Sequence, residues 1–353
     1  MKSKFTRKAL VALLAVSALV LSACSSGSDD AAGGDVKVTL ITKDQTNPFF
    51  VAMIKGAKAK AAELGVDLTV GSGKEEGDDA GQIALIENAI SAKHAGILIT
   101  PMSVNVNSAI TKAREAGLFV IALDTPTDPA DIVDITFATD NCEAGELIGK
   151  WAAAKLGGKK AVIALLDIFD DRMVSVDYCR DNGFLKGMGI DVKDPKVMGD
   201  EAKTGKYSGG DYVIVGNKAT GANEDGGRTG LEQLLAKNKA INVVYTINEP
   251  TAAGACAALK AAGTKAIVVS VDGGRAGIEN VKKGCIGATS QQYPLLMADL
   301  GVQAIYDIVK NGTKPEVSPG LDFFNTGVTL ITDDPQAGVD SKDTTYGLEK
   351  AWG

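Results

Sequence analysis

The sequence predicts an α/β protein made of two similar lobes, each a parallel sheet flanked by helices. Three observations carry that expectation. Short apolar, β-branched runs alternate with longer stretches of helical period, which is the pattern of βαβ units. The alternation passes through about four units before residue 140 and then begins a second series, with no short-period repeat of the solenoid kind. The chain has 353 residues, and the roughly 320 that can fold exceed what one hydrophobic core ordinarily organises.

The chain opens with Lys2, Lys4, Arg7 and Lys8, an uncharged apolar run from Ala9 to Val20, and then Leu21-Ser22-Ala23-Cys24. A basic start, a short apolar core and small residues before a cut site predict an export signal over 1–23. That run is too short for a comfortable membrane span. Its ending resembles the bacterial lipobox, in which Cys24 is lipidated and becomes the mature N-terminus. An ordinary signal peptide with a chance cysteine is the alternative. The small polar residues from Ser25 to Gly34 predict a flexible tether over 24–35, reaching roughly 15–20 Å as a random coil.

The first series of strands is expected at 36–42, 66–70, 96–100, 118–123 and 135–139. The second is expected at 161–166, 212–215, 242–247, 266–271 and 287–291. Helical periodicity lies between them, as from Phe50 to Leu64, Ala80 to Lys93 and Asn105 to Ala116. Gly65, Gly96 and Gly117 follow these helices where a left-handed cap suits glycine.

Without its first 23 residues the chain has 33 basic and 44 acidic residues, a formal charge of −11. That balance excludes a nucleic-acid surface, which needs a basic face. Four cysteines remain, and an even number in an exported chain permits two disulfides in three connectivities. Their order favours Cys142–Cys179 and Cys256–Cys285, with four buried free thiols as the alternative. Zinc is not expected, because no two cysteines have finger-like spacing and His94 is the only histidine. At the end of a helix, His94 reads as a partner of the helix dipole. No other cofactor is indicated.

Open α/β sheets bind ligands beyond the carboxyl ends of their strands. The residues there are Lys43, Asp44, Asn47, Phe49 and Phe50 after the first strand and Leu123-Asp124-Thr125 after the fourth. Ala138-Thr139-Asp140-Asn141 follows, then Thr246-Ile247-Asn248-Glu249, Ser270-Val271-Asp272-Gly273 and Ser290-Gln291-Gln292-Tyr293. A helix between them carries Tyr178-Cys179-Arg180-Asp181-Asn182-Gly183-Phe184. Carboxylates, amides and a guanidinium suit the hydroxyls of a neutral polyol, and aromatic rings suit its C–H faces. Each residue also has a plainer reading. Asn47-Pro48 is a good helix start with either phenylalanine in the core. Asp124 and Asp272 could cap the helices that follow, Arg180 could be a solvated charge, and Asn248 and Gln292 could satisfy loop backbone.

Taken together, these residues resemble the sugar-binding lipoproteins of ABC importers, the type I periplasmic binding proteins of the ribose and galactose kind. The resemblance extends from Val36 to about Leu330. Asn47-Pro48-Phe49-Phe50 matches the family's first-strand motif, whose amide and rings contact sugar. Asp124, Arg180, Asn248, Asp272 and Gln292 match its other contact positions. There are two departures. Thr125 follows Asp124 where ribose binders have arginine, and the stretch from Thr220 to Arg228 lacks a phenylalanine of the second lobe. The segments around Asp124, Asn223 and Gln291-Gln292-Tyr293-Pro294 look most like the fructose-binding branch, which adds Asn223 and Lys43 as expected contacts.

The resemblance implies two Rossmann-like lobes joined by a three-segment hinge, crossing near Asp140, Gln292 and Gly320. The first lobe would be 36–139 plus 293–319, and the second 140–292 plus 320–353. It implies a monomer at the outer face of a bacterial membrane that closes on a neutral monosaccharide and is recognised by a membrane permease. A sugar-presenting sensor is the alternative. An enzyme is a weaker reading, since the chain has no Gly-x-Ser-x-Gly elbow, no His-Glu-x-x-His and no Walker loop. Acidic residues sufficient for a carboxylate-pair glycosidase are present. Gly71-Ser72-Gly73-Lys74-Glu75-Glu76-Gly77 resembles a dinucleotide loop, but its last glycine is one residue late and its acids would repel a pyrophosphate. A sugar-responsive repressor would carry a helix-turn-helix where this chain has its export signal.

Overall fold

The computed structural model describes residues 36–353. The expected export signal, the expected lipidation at Cys24 and the expected tether lie outside the described residues. The first series of elements is β1 (Lys37–Thr42), α1 (Pro48–Leu64), β2 (Asp67–Ser72), α2 (Asp79–Ser91), β3 (Gly96–Ile99), α3 (Asn107–Glu115), β4 (Phe119–Leu123) and β5 (Ile135–Ala138). The second begins α4 (Asn141–Leu156), β6 (Ala161–Asp167), α5 (Ser175–Met188), β7 (Thr204–Tyr207) and β8 (Gly210–Ala219). It continues α6 (Glu224–Lys237), β9 (Val243–Thr246), α7 (Glu249–Ala262), β10 (Ile267–Asp272), α8 (Arg275–Lys282) and β11 (Ala288–Gln291). The chain then forms α9 (Pro294–Asn311), β12 (Phe324–Asn325), β13 (Thr329–Ile331) and α10 (Thr344–Lys350).

The strands make two sheets, ordered β12-β5-β4-β3-β1-β2 and β13-β11-β10-β9-β6-β8-β7. The first is parallel throughout. The second is parallel except where its edge strands β7 and β13 join it. Strands covered by helices on both faces must be apolar on both. In β1, Val38 and Leu40 pack with α1 and α9, while Ile41 packs with α2 and α3. In β6, Ile163 and Leu165 face α4 and α5, while Val162, Ala164 and Leu166 face α6 and α7. Two parallel-sheet α/β lobes are thus present.

Helix starts follow the expected chemistry. Asn47 accepts the Phe49 amide at α1 with Pro48 in the first turn, and Asp140, Asn223 and Asn248 cap α4, α6 and α7. Gly65 and Gly117 adopt the left-handed conformation expected of them, with φ of 68° and 90°. Gly96 does not. It opens β3, where a Cβ would stand 2.6 Å from the Phe119 carbonyl oxygen, and the left-handed residue after α2 is Lys93. The disulfides join Cys142 to Cys179 and Cys256 to Cys285, tying α4 to α5 and α7 to the turn after α8.

Three strands, β7, β12 and β13, were not expected, and β8 is longer than the expected 212–215. Short or polar edge strands have only one neighbour and need little apolar alternation, so their pattern is weak. The third crossing also lies later than Gly320. β12 still pairs with β5 in the first sheet, and the chain reaches the second sheet only at β13, which pairs with β11. The C-terminus departs from a simple second-lobe assignment. Trp352 is buried with the core of the first lobe, its ring 5.4 Å from Phe49, while its carbonyl accepts the Arg275 amide.

Candidate ligand-binding site

The carboxyl ends of the two sheets face one another, and the side chains between them are almost all buried. From the first lobe, Asp124 follows β4 with φ of 65°. A non-glycine residue in that conformation is strained and marks a position held by its surroundings. One carboxylate oxygen of Asp124 accepts the Thr125 hydroxyl, and the other has no hydrogen-bond partner and lies 3.9 Å from Arg180 Nη2. Lys43, after β1, is buried and forms a 2.9 Å ion pair with Glu76 from the loop after β2. Burial pushes the Glu76 carboxyl up, and Lys43 pulls it partly back.

From the second lobe, Arg180 is held on two sides. Its Nε donates to Asn141 Oδ1 at 2.7 Å and its Nη1 to the Ile247 carbonyl at 3.0 Å. Asp272 ends β10 with φ of 150°. Its carboxylate accepts from Gln292 Nε2 at 2.9 Å and from the Glu249 amide at 3.3 Å. Burial raises its pKa to about 6, against the pull of Arg180 and the Gln292 hydrogen bond. Gln292 Oε1 is buried without a partner, while the Gln292 carbonyl accepts Trp352 Nε1 at 3.0 Å. Glu249 is structural: it accepts the Gly273 and Gly274 amides and the Thr289 hydroxyl, which shapes the turn after β10.

The lobes touch around this site. Asn141 Nδ2 donates to the Asp124 carbonyl, Arg172 reaches the Gly77 carbonyl and Asp79, and Lys196 pairs with Asp128. A groove of about 240 Å³ runs along the seam, bordered by Asn47 and Glu76 on one lobe and Ala222 and Asn223 on the other. Behind Arg180, a second acidic group surrounds the buried Tyr245 hydroxyl. Burial is the first cause of the raised pKa of Asp167, Asp177 and Asp181, with Asp177 at about 7. Among the described residues no group of His, Cys, Asp and Glu is arranged to hold a metal ion. His94 bonds Thr39 through Nδ1 at 2.6 Å, and burial lowers its pKa.

The structure therefore brings together Lys43, Asp124, Arg180, Asp272 and Gln292. Asn47 and Asn248 stand at the rim with their oxygens committed to helix caps, and Asn248 Nδ2 is also committed, to the Ala222 carbonyl. Asn223 borders the seam groove, but it is exposed and its oxygen is committed to capping α6. Phe49 and Phe50 are packed edge to face in the core of the first lobe, with Trp352 against Phe49. Sequence reasoning did not select Glu76, Asn141 or Trp352. Asn141 stood in a strand-end stretch already singled out. Glu76 was set aside with its glycine-rich loop, and nothing in the local pattern marks Trp352.

Two parallel-sheet lobes enclosing a buried polar site define a binding protein of the periplasmic type, and the chain belongs to the periplasmic binding protein family. The model of the periplasmic binding protein domain matches residues 38–314. The chain is 31% identical over 312 residues to the ribose import binding protein RbsB of Haemophilus influenzae, covering 88% of this chain and 97% of that one. It is 24% identical over 302 residues to the D-allose-binding periplasmic protein of Escherichia coli, covering 83% and 91%. A crystal structure of an ABC transporter solute binding protein from Agrobacterium vitis with bound D-fucose superposes with a TM-score of 0.71 at 26% identity, covering 87% and 100%. These relatives are substrate-binding proteins of import systems, not enzymes.

Proposed function

We propose that the protein captures one neutral monosaccharide between its lobes and delivers it to an ABC permease, standing off the outer face of a bacterial membrane on a lipid carried by Cys24. It acts as a monomer. The observation that carries this reading is the convergence of Asp124, Arg180, Asp272 and Gln292, buried and contributed by both lobes, with carboxylate and amide oxygens still unpartnered. Sugar hydroxyls would donate to Asp124, Asp272 and Gln292 and accept from Arg180 and Asn47. Lys43, through Glu76, and Asn248 and Asn223 would shape the rim, and Phe49 and Phe50 would back the site from the first-lobe core rather than stack as free faces.

Two cations, Lys43 and Arg180, stand against Glu76, Asp124 and Asp272, which disfavours an anionic sugar. Only a ligand that touches both lobes favours the closed arrangement, so capture is a population shift set by differential affinity. Micromolar binding corresponds to about −8 kcal/mol, within reach of several charge-assisted bonds at roughly 1.5–3 kcal/mol each after ordering costs. Thr125 beside Asp124 and the missing phenylalanine at 220–228 support D-fructose as first candidate, ahead of D-ribose and D-allose, the sugars named for the relatives. A thermal-shift screen with these three sugars and D-glucuronate tests the reading. A rise of several degrees with one or two neutral sugars is expected. No response to any neutral sugar, or a response to glucuronate alone, would sink it.

A further inference from the structure

Among the described residues, Arg180 is the cation that the second lobe presents to Asp124 and Asp272, and its setting is unusually constrained. Helices α4 and α5 approach so closely that their backbones touch along a seam of glycines. A Cβ at Gly145 would stand 2.3 Å from the Arg180 carbonyl oxygen, and one at Gly183 would stand 2.4 Å from that of Cys142. One turn further on, a Cβ at Gly149 would stand 2.2 Å from the Phe184 carbonyl oxygen, and one at Gly187 would stand 2.2 Å from that of Glu146. Cys142, Gly145 and Gly149 share one face of α4, and Cys179, Gly183 and Gly187 share one face of α5. The Cys142–Cys179 disulfide closes this seam at the end nearest the site. Each half-cystine adjoins one partner of the buried hydrogen bond from Arg180 Nε to Asn141 Oδ1, Asn141 preceding Cys142 and Arg180 following Cys179.

We propose that the Cys142–Cys179 disulfide and the glycine seam it completes are a positioning device that holds Arg180 against Asn141 in its ligand-ready orientation before ligand arrives. Arginine has much rotamer freedom to lose, and a site that has already ordered it binds more tightly because association no longer bears that loss. A covalent link between the residues flanking the donor and the acceptor keeps the first turn of α4 in register with the second turn of α5, and with them the Nε–H and the amide oxygen. The Cys256–Cys285 disulfide has no such neighbour, since it ties the middle of α7 to the turn after α8 and adjoins no residue of the site. The two bridges are therefore a natural pair for comparison.

The inference rests on the sugar-binding reading for its effect on affinity but not for its effect on Arg180. The full-length protein, purified oxidised, is compared with C142A/C179A, with C256A/C285A and with N141A. In ligand-free protein, the Arg180 Nε–H proton, assigned by its loss in R180K, should exchange slowly with water in the wild type and in C256A/C285A. It should exchange at least tenfold faster in C142A/C179A and in N141A. In calorimetric titrations with D-fructose, D-ribose and D-allose, C142A/C179A should bind roughly tenfold more weakly than the wild type. C256A/C285A should lose melting temperature but keep its affinity within twofold. Unchanged Arg180 exchange in C142A/C179A overturns the inference, as does an equal loss of affinity in both disulfide variants. If the wild type binds none of the sugars, the functional reading fails while the exchange comparison still decides the positioning role. Should C142A/C179A fail to fold, phosphine reduction of folded C256A/C285A opens the Cys142–Cys179 bridge alone and is read against the unreduced variant.

Discussion

Asp272 holds Gln292 with one carboxylate oxygen and the Glu249 amide with the other, so its removal unmakes more than one contact of the proposed site. Asp272→Ala should abolish measurable sugar binding, a loss of at least about a hundredfold if two charge-assisted bonds disappear. The fold should persist, as read by circular dichroism, because the core of the second lobe is built elsewhere. Calorimetry showing affinity within a few-fold of wild type would mean the site is misplaced. The same residue sets a pH dependence. Ligand hydroxyls donate to the ionised carboxylate, and the Asp272 pKa in the free protein is about 6. Affinity should therefore rise as pH increases through 6 and weaken below it, which titrations at pH 5 and pH 7.5 would show. At this scale the sequence left open whether Asp124 and Asp272 cap the helices that follow them, and the structure shows that neither does. The sequence was ambiguous also for Asn248 and Asn223, whose helix-capping chemistry is indistinguishable in sequence from ligand contact.

The helices of the second lobe approach more closely than side chains normally permit, and their glycines are the reason. Gly149→Ala would drive a methyl group into the Phe184 carbonyl oxygen, 2.2 Å from the ideal position. Overpacking of this kind costs about 1–3 kcal/mol and forces the helices apart. Urea denaturation should show a destabilisation of that order, and an unchanged midpoint would contradict the close packing. Most strands and helices were legible because buried parallel strands are apolar on both faces and helix caps have local signatures. The edges β7, β12 and β13 were not. A strand of two to four residues with one neighbour is defined by its partner's hydrogen bonds, and no local pattern announces the partner.

Across the whole molecule, buried carboxyls make stability depend on pH. Asp177 is raised to about 7 and Asp272 to about 6, and Asp167, Asp181 and Glu249 are raised as well, with burial the first cause in each. An aspartate raised above its unfolded value of about 3.9 keeps its proton in the folded state over a window where the unfolded chain has released it. The stabilisation is present below that unfolded value and is lost as pH rises through the folded one. The ligand-free protein should therefore melt at a higher temperature at pH 5 than at pH 8, measured by calorimetry. The ion pair across the seam between Lys196 and Asp128 is half-exposed, and such pairs contribute about 0.2–1 kcal/mol. Lys196→Ala should weaken sugar binding by no more than roughly fivefold, with the difference vanishing in high salt. A loss beyond tenfold would give that pair a larger share in closure than its exposure allows.

The order and spacing of residues along the chain were enough for the class of architecture and for the strand ends at which to look, and they favoured the disulfide partners without excluding free thiols. Those features are local or sequential. Folding in three dimensions is what pairs Glu76 with Lys43, sets Asn141 to receive Arg180 and packs the C-terminal Trp352 on Phe49. It also places both phenylalanines of the opening Asn47-Pro48-Phe49-Phe50 stretch in the core of the first lobe. These are contacts between residues far apart in the chain. They depend on how two sheets are brought face to face, and burial then sets which polar groups are held, which remain free and which keep their protons.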